Sequence, residues 1–362
     1  MAVVPKVLAK RERIGLLQRS KAVNHWAAAA DSTVSSAFKE IHWLDVGQVT
    51  PDDGVIAEDL NVTSQNGIHR ESERRFVDTY GGLIRVPFSG IADKSTLAIF
   101  LAAALHTCTE AAGTPFKKVF TAIGLTAVPN FAQNEGYLFD MAIVNNASAD
   151  DGILLKRGII DSLSINVNFR GKGQARLFKI SGTFLFNSIA YRQTFVTGNW
   201  TNTTAAQNFF NNTDAWVMLD ADYNEMEIGG VSFSGEYLHD FVLNINNNVE
   251  GDNFGTSGVA GQYTIKPAYT GTINFWHNSV TEALIDHIQQ NDTIKVFISN
   301  DALNAYTDGK FSIYSATGKG LPGGGKKYEG DYIKEQVNFE LLSTAAATPL
   351  TVTFTDTVDY GF

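Results

Sequence analysis

The chain has 362 residues, of which 44% are hydrophobic and 11% are aromatic, and this predicts two domains with sizeable cores. No run of about 18 apolar residues is present, so we expect no membrane span. The first 21 residues lack the apolar stretch of a secretory signal. A single cysteine, Cys108, excludes a disulfide framework and fits folding in a reducing compartment.

The net charge of −10 is unevenly distributed. Residues 1–21 hold one acid and six cations, so the rest of the chain carries −15. The cations are Lys6, Lys10, Arg11, Arg13, Arg19 and Lys21. An acidic body argues against direct affinity for DNA, because binding phosphates needs clustered cations. It suits a surface that must not adhere to a polyanion, although ordinary solubility accounts for the charge equally well.

The first third of the chain combines an arm, a loop, strands and one helix. Residues 1–35 carry few strand signals and are predicted to form an arm, with a short basic helix over residues 6–21. Residues 45–73 are polar and are predicted to form a long loop. The remaining predicted elements are strands over 41–46, 75–90 and 117–123 and a helix over 95–106, which is apolar nearly all round.

A hairpin follows and is the clearest local pattern. Residues 158–169 alternate between apolar and polar side chains, and residues 175–186 return after a glycine-containing turn. Residues 137–144 are a further predicted strand, and residues 187–230 then become rich in Asn, Thr and Ala. We therefore predict a first domain over 36–195, a linker over 196–228 and a second domain over 229–362.

The second half repeats the strand-rich pattern. Ser279, Val280, Thr281 and Glu282 fit a capping box that begins a helix. Strands are predicted over residues 241–245, 263–276, 293–299, 310–316, 332–342 and 350–355. Residues 318–328 are predicted to join two of these strands as an exposed glycine-rich hairpin.

Similar stretches recur in the same order and indicate a duplicated unit. Lys-Val-Phe occurs at 118–120 and 295–297, the two predicted helices begin at Ser95 and Ser279, and Asn-Phe occurs at 168–169 and 338–339. Residues 350–355 match residues 180–186 less closely. The predicted fold is therefore mainly β, with two tandem sandwich or barrel domains that each carry one helix, plus the N-terminal arm.

No pattern supports catalysis, a metal site or a cofactor. Residues 320–326 match the start of a phosphate-binding loop, but Lys327 stands where Ser or Thr must follow, and the next residues predict a strand instead of a helix. The seven histidines lack metal-ligand spacing, and no nucleophile elbow is present. Cys108 is predicted to be a small buried hydrophobe. We expect a protein that is not an enzyme.

The order of arm, long loop, extended strand, apolar helix and strand, with the later segment FVLNINNNVE at 241–250, resembles the tail tube proteins of long-tailed bacteriophages. The resemblance is strongest to the type in which one chain carries two tube domains. It implies that tube domains join side by side in a ring of sixfold or pseudo-sixfold symmetry, so that three copies of this chain form one ring. It also implies that rings stack into a tube in the virion after assembly in the host cytoplasm.

The same resemblance implies the partners. These are other copies of the chain, a tape-measure protein that fills the channel, tail terminator and distal tail proteins, and DNA that passes through the channel without specific binding. No membrane partner is implied. Ring-to-ring contacts are expected from the arm, the 45–73 loop and the 318–328 hairpin, with Lys6, Lys10, Arg11, Arg13, Lys319, Lys326 and Lys327 as candidate residues.

Three alternatives remain open from sequence alone. One is another tube or decoration protein of a virion or secretion system. Another is a carbohydrate- or surface-binding β-sandwich protein, whose sign would be exposed aromatic side chains on one sheet face, with Trp43, Trp200, Trp216 and Trp276 as candidates. A hydrolase would need a cluster of acids or histidines that the spacing does not supply.

Overall fold

A computed structural model describes most of the chain. The described residues are 12–18, 32–41, 44–51, 55–59, 75–80, 83–92, 94–105, 107–111, 116–122, 139–145, 152–168, 178–202, 225–228, 231–234, 238–252, 261–264, 267–277, 294–299, 310–315, 318–329, 332–344 and 348–356. The fold is mainly β, as the sequence predicts, and one helix lies among these residues.

The strands in chain order are β1 (Glu12–Gln18), β2 (Lys39–Ile41), β3 (Leu44–Val46), β4 (Thr50–Pro51), β5 (Val55–Asp59), β6 (Arg75–Tyr80), β7 (Ile84–Ile91), β8 (Cys108–Ala111), β9 (Phe116–Thr121), β10 (Phe139–Asn145), β11 (Gly152–Asn168), β12 (Lys179–Gln193), β13 (Thr201–Asn202), β14 (Glu225–Ile228), β15 (Val231–Ser234), β16 (Leu238–Asn246), β17 (Val249–Asp252), β18 (Gly261–Thr264), β19 (Ala268–Trp276), β20 (Ile294–Ser299), β21 (Lys310–Ser315), β22 (Gly318–Glu329), β23 (Tyr332–Leu341) and β24 (Thr351–Asp356). Helix α1 is Lys94–Leu105.

The larger sheet has thirteen strands and contains one four-strand order twice. The first four-strand unit runs β3-β7-β12-β11 across the sheet, and the second runs β16-β19-β23-β22. In each unit the last two strands occur in the sheet in the reverse of their order along the chain: β12 precedes β11, and β23 precedes β22. All pairings within the units are antiparallel. The C-terminal half of β11 pairs with β16 and joins the units into one continuous ladder of eight strands.

The smaller sheet also combines both halves of the chain. Its order is β15-β14-β20-β21-β24-β9-β8. The last strand, β24, pairs with β9 of the first half, with Val352 opposite Phe120. Two further hairpins, β5-β6 and β17-β18, form separate two-stranded sheets. Strand pairing therefore links the two predicted domains in both major sheets.

Helix α1 is buried nearly all round, as its composition predicts. Every described side chain from Thr96 to Leu105 is buried, and the helix contacts β11 of the larger sheet and β9 of the smaller one. The ring of Phe100 meets those of Phe88 and Phe184 at centroid distances of 5.2 and 5.3 Å. One continuous core therefore forms from the helix and both sheets, and its apolar burial supplies the main stabilising free energy.

A second core lies at the β1–β10 end of the larger sheet. Phe38, Phe195 and Trp200 pack together on the face opposite the main core. The buried carboxylate of Asp140 accepts hydrogen bonds from the backbone N–H groups of Ser32 (3.1 Å) and Arg157 (2.7 Å), and this ties the segment before β2 to the sheet. The sheet is thus covered on both faces at this end.

Most predicted strands are confirmed with small changes of boundary. The helix over 95–106 and the hairpin over 158–169 and 175–186 are present as α1 and as β11 with β12. The predicted strand over 75–90 is two strands, β6 and β7. The predicted helix that begins at Ser279 lies outside the described residues.

Three sequence predictions about irregular segments are wrong. The basic helix over residues 6–21 is contradicted by β1, which pairs with β10 and β2 inside the larger sheet. The 45–73 loop contains most of β3 and all of β4 and β5. Residues 318–328 are not a connection between two strands but belong to the strand β22 itself, which pairs with β23 and has a bulge between Leu321 and Gly325; the described side chains at 321 and 325–328 are exposed, as predicted. Strands β13 and β14 lie within residues 196–228, and the linker there stays a prediction.

The repeat is present in topology, but two of the local matches are wrong. Both Lys-Val-Phe stretches lie in the smaller sheet, in β9 and β20. The matched residues 350–355 and 180–186 lie in different sheets, in β24 and β12. Asn168 ends β11, whereas Asn338 and Phe339 lie in β23, whose place in the repeated order corresponds to β12.

Candidate assembly surface

The eight-strand ladder has one apolar face and one polar face, because successive side chains of a strand point in opposite directions. The apolar face packs into the main core. On the other face, one row of polar side chains crosses seven neighbouring strands from β3 to β23 in register. This polar row consists of Asp45, Ser89, Ser181, Ser164, Asn244, Thr270 and Glu340.

Neighbouring rows on the polar face have the same character. Thr183, Ser162 and Asn246 form one of them, and the hydroxyl of Thr272 donates to Asn338 Oδ1 at 3.0 Å in another. Uncharged Ser, Thr and Asn side chains predominate in the rows described, and the carboxylates Asp45 and Glu340 stand at opposite ends of the first row. The acidic excess of the chain is therefore not concentrated in these rows.

One charged cluster stands out on this face at the end of the second unit. Asp240 accepts hydrogen bonds from Asn274 Nδ2, from His239 Nδ1 at 2.6 Å and from Lys334 Nζ at 3.2 Å. Burial raises the pKa of the Asp240 carboxyl, but the hydrogen bonds from Asn274 and His239 and the charge of Lys334 outweigh it. The net effect holds the pKa of Asp240 below its ordinary value, so this group titrates in the acid range.

Substituting Asp240→Asn is expected to lower stability at neutral pH by about 1 kcal/mol, because Lys334 and His239 lose a charged acceptor in a partly buried site where solvent still screens part of the loss. The depressed pKa means that ionised Asp240 stabilises the fold above about pH 4 and that this contribution disappears as the pH falls through the folded-state value. Thermal melts from pH 7 to pH 2 should therefore show the variant and wild type converging. A constant difference across that range, or an equal effect of Asp45→Asn, an exposed carboxylate on the same face, would contradict this account.

A second group of interacting polar side chains lies at the same end of the sheet, on the side that faces the core. His277 Nδ1 lies 2.7 Å from Oε2 of Glu335, which is buried, and His277 Nε2 lies 3.4 Å from Lys326 Nζ. The contact ties β22 to the end of β19.

Asn247 joins the two four-strand units at their boundary. Its buried side-chain amide donates to the carbonyl of Ala104 in α1 and to that of Ile160 in β11, both at 2.9 Å. Its backbone N–H donates to the carbonyl of Asp161 at 2.7 Å, and Val249 N–H donates to the Asp161 carboxylate at 2.8 Å. This clasp holds the bulge in β11 where its pairing passes to β16.

The ladder ends in two edges that have no further strand within the described part of the chain. One edge is β22, which pairs only with β23. The other consists of β3 and β4, which both pair with β7 and are separated by a short interruption. On β22, Tyr328 is 76% exposed and Leu321 is 36% exposed, and both are among the few large hydrophobic side chains exposed in the described residues. An unpaired edge with exposed apolar side chains is a template for pairing with another chain.

The candidate contact residues named from sequence lie in different environments. Lys326 and Lys327 are exposed on β22, and Lys319 belongs to the same strand. Arg13 forms a two-pronged ion pair with Glu40 at 2.7 Å and lies over the Trp200 ring. The hydrogen bond from Arg13 to Glu40 raises the pKa of Arg13, so its guanidinium is already engaged within the chain. Lys6, Lys10 and Arg11 lie outside the described residues.

Sequence reasoning missed Asn247, Asp140 and the unpaired edges. A signal for Asn247 was present, because Phe241, Leu243 and Ile245 alternate with polar residues and the same period places residue 247 on the core face. An asparagine at such a position must find hydrogen-bond partners in the interior. The edges depend on long-range pairing and have no local signal.

The described residues show little sign of a metal site, a phosphate-binding loop or a membrane-spanning helix. No group of three or more His, Cys, Asp or Glu side chains is placed to hold a metal ion within this part of the chain. Residues 320–326, which resemble a phosphate-binding loop, form part of β22. Within the described residues, no helix has both the length and the apolar character needed to cross a bilayer. Cys108, predicted to be a buried hydrophobe, is half-buried in β8.

Comparison with known proteins adds no relative. No protein-family model matches the chain, and no curated protein matches it either.

Proposed function

We propose that this protein is a structural virion protein, the major tail tube subunit of a long-tailed bacteriophage, and that it has no enzyme activity. Copies of the chain would join side by side into rings, and the rings would stack into the tube through which DNA leaves the capsid. A tape-measure protein would fill the channel before ejection, and terminator and distal tail proteins would close the two ends of the tube.

The observation that carries the proposal is the repeated strand order in one continuous antiparallel ladder. The two four-strand units follow each other head to tail, joined through β11 and β16. A head-to-tail arrangement of equivalent units closes into a ring when its rotation divides a full turn. With two such units per chain, three chains supply six units, which agrees with the pseudo-sixfold ring of the two-domain tube proteins that the sequence resembles.

The polar face of the ladder supports the same function. A channel for DNA must avoid holding phosphates, and affinity for phosphates depends on clustered cations. No such cluster occurs in the rows described, since Lys334 lies beside Asp240 and the exposed Lys179, on the same face, stands opposite the uncharged Asn166. A neutral hydroxyl- and amide-lined surface would let a polyanion pass without strong attraction or repulsion.

The proposal is tested by negative-stain electron microscopy of the purified protein over a range of concentrations, with native mass spectrometry alongside. Rings or tubes with a central hole and three chains per layer are the expected result. Six chains per ring would support a tube but contradict the proposal that both four-strand units of one chain lie in the ring. A monomer at every concentration would contradict self-assembly of the purified chain.

The carbohydrate-binding alternative has less support. Trp200 is buried in the second core, and Trp276 packs against the His239 ring at 5.3 Å. Trp43 and Trp216 lie outside the described residues. The exposed aromatic side chains Tyr191 and Tyr328 lie on separate strands, β12 and β22. Binding of the purified protein to a glycan array would favour this alternative over the tube.

A further inference from the structure

We infer that the joint between neighbouring copies is formed by the β22 edge of one chain and the β3–β4 edge of the next, and that opposite charge selects this pairing. The inference rests on the proposed tube function and names the strands that make its lateral contact. It assigns the described edge residues 44–51 and 318–329, which overlap the segments that the sequence suggests for ring stacking, to contacts within a ring.

The internal joint provides the template for the external one. Within the chain, β11 stands last in the first unit and pairs antiparallel with β16, which stands first in the second unit. In the same order β22 stands last in the second unit, and β3 stands first in the first unit. Repeating the internal step therefore places β22 beside β3 and β4 of another copy. Because the strands alternate in direction through all eight positions, the new pair is antiparallel as well.

Charge separates this pairing from the two symmetric alternatives. Residues 318–329 carry three lysines and one acid, whereas residues 44–51, which span β3 and β4, carry one acid, Asp45, and no cation. Pairing β22 with a second β22 would bring lysines together, and pairing two β3–β4 edges would bring carboxylates together. Like charges placed opposite each other on neighbouring strands destabilise the pair. The head-to-tail joint alone brings opposite charges together, and such complementarity mainly determines specificity and association rate.

Described side chains on both edges are available for the contact. Lys327 and Tyr328 on β22 are exposed, and so is Asp45 on β3. The bulge after Leu321 shifts the pairing of β22 with β23. Exposed Leu321 and Tyr328 would gain burial when the neighbouring strand docks, which adds an apolar contribution to the backbone hydrogen bonds.

The test is a double charge reversal on β22, Lys319→Glu with Lys327→Glu, which leaves Lys326 and its contact with His277 intact. The matched control is Lys117→Glu with Lys179→Glu, which changes the net charge equally at two exposed lysines on β9 and β12, away from both edges. Sedimentation velocity at low salt should show self-association weakened about tenfold or more by the β22 variant and little changed by the control. Circular dichroism melts verify that both variants fold.

Amide hydrogen exchange provides an independent readout on the unmodified chain. When the wild type assembles, residues 318–329 and 44–51 should gain protection together. Protection of residues 318–329 alone would indicate a symmetric β22 pair and overturn the inference. In the sedimentation experiment, equal association of the β22 variant and the control would also overturn it. If wild-type rings form while the amides of both edges stay unprotected, the proposed pairing of β22 with β3 and β4 is wrong, but the proposed tube function is not contradicted. A wild type that never associates removes the tube and the joint together.

Discussion

Leu16→Ala is expected to lower the free energy of unfolding by about 2–5 kcal/mol, the range for leucine removal from a packed core. Leu16 is 1% exposed and lies in the middle of β1, opposite Met141 of β10 and Lys39 of β2. Its side chain belongs to the main core together with that of Ile14. Urea denaturation followed by circular dichroism measures the effect directly.

Leu321→Ala is the matched control, because it makes the same change at a 36% exposed leucine on an edge strand. It should alter stability by less than about 0.5 kcal/mol in the monomer. Truncation of residues 1–18 should cost more than Leu16→Ala, since it also removes Ile14 and exposes the backbone edges of β10 and β2. Equal stability of Leu16→Ala and Leu321→Ala would show that β1 does not form part of the core.

This expectation replaces the sequence-based one for the N-terminus. The sequence predicts an arm over residues 1–35. On that basis, deletion of residues 1–30 would weaken ring stacking and leave each β domain folded. The segment ERIGLLQ has three apolar side chains, Ile14, Leu16 and Leu17, within a basic stretch, so neither a clear period of two nor composition identifies it as a strand. Pairing with β10 and β2, which are distant in sequence, determines its conformation. Its helix propensity is overridden by tertiary contacts.

Period-two alternation and apolar helix composition recovered the parts of the fold that local physics determines. The β11–β12 hairpin and β16 follow from alternating side chains, and α1 follows from a dozen residues with hardly any polar side chains. The glycine-rich β22 could not be recognised, because glycine and proline ordinarily mark turns. Its partner β23 supplies the pairing that holds it extended.

The duplicated order could be predicted only in outline. The two Lys-Val-Phe stretches both lie in the smaller sheet, but the equivalence of β11 with β22 and of β12 with β23 is visible only from sheet neighbours. Sequence similarity between the units is too low to align individual strands. The edges of the ladder follow from that topology. The lysines of β22 can be recognised as contact residues from their charge, but only the topology indicates a contact within a ring instead of a contact between rings.

Asn247→Ala is expected to destabilise the fold by about 2–4 kcal/mol, because it leaves the carbonyls of Ala104 and Ile160 without their shared donor in a buried site. The Ala104 carbonyl is one of the last four of α1 and has no partner within the helix. Asn247→Asp preserves the shape and removes the donor, so at neutral pH it should be at least as damaging. Chemical denaturation of the three proteins at pH 7 measures both effects.

Asn166→Ala is the matched control, since Asn166 is exposed on the polar face of the neighbouring strand β11. It should change stability by less than about 0.5 kcal/mol. If Asn247 acts as the clasp between the two units, its loss should also increase amide exchange in β16 and in the C-terminal half of β11 more than in β10, because only the first two meet at the bulge it holds. A uniform increase across the larger sheet would instead assign Asn247 to general core stability. Retained local protection with a normal melting temperature would show that water replaces its hydrogen bonds.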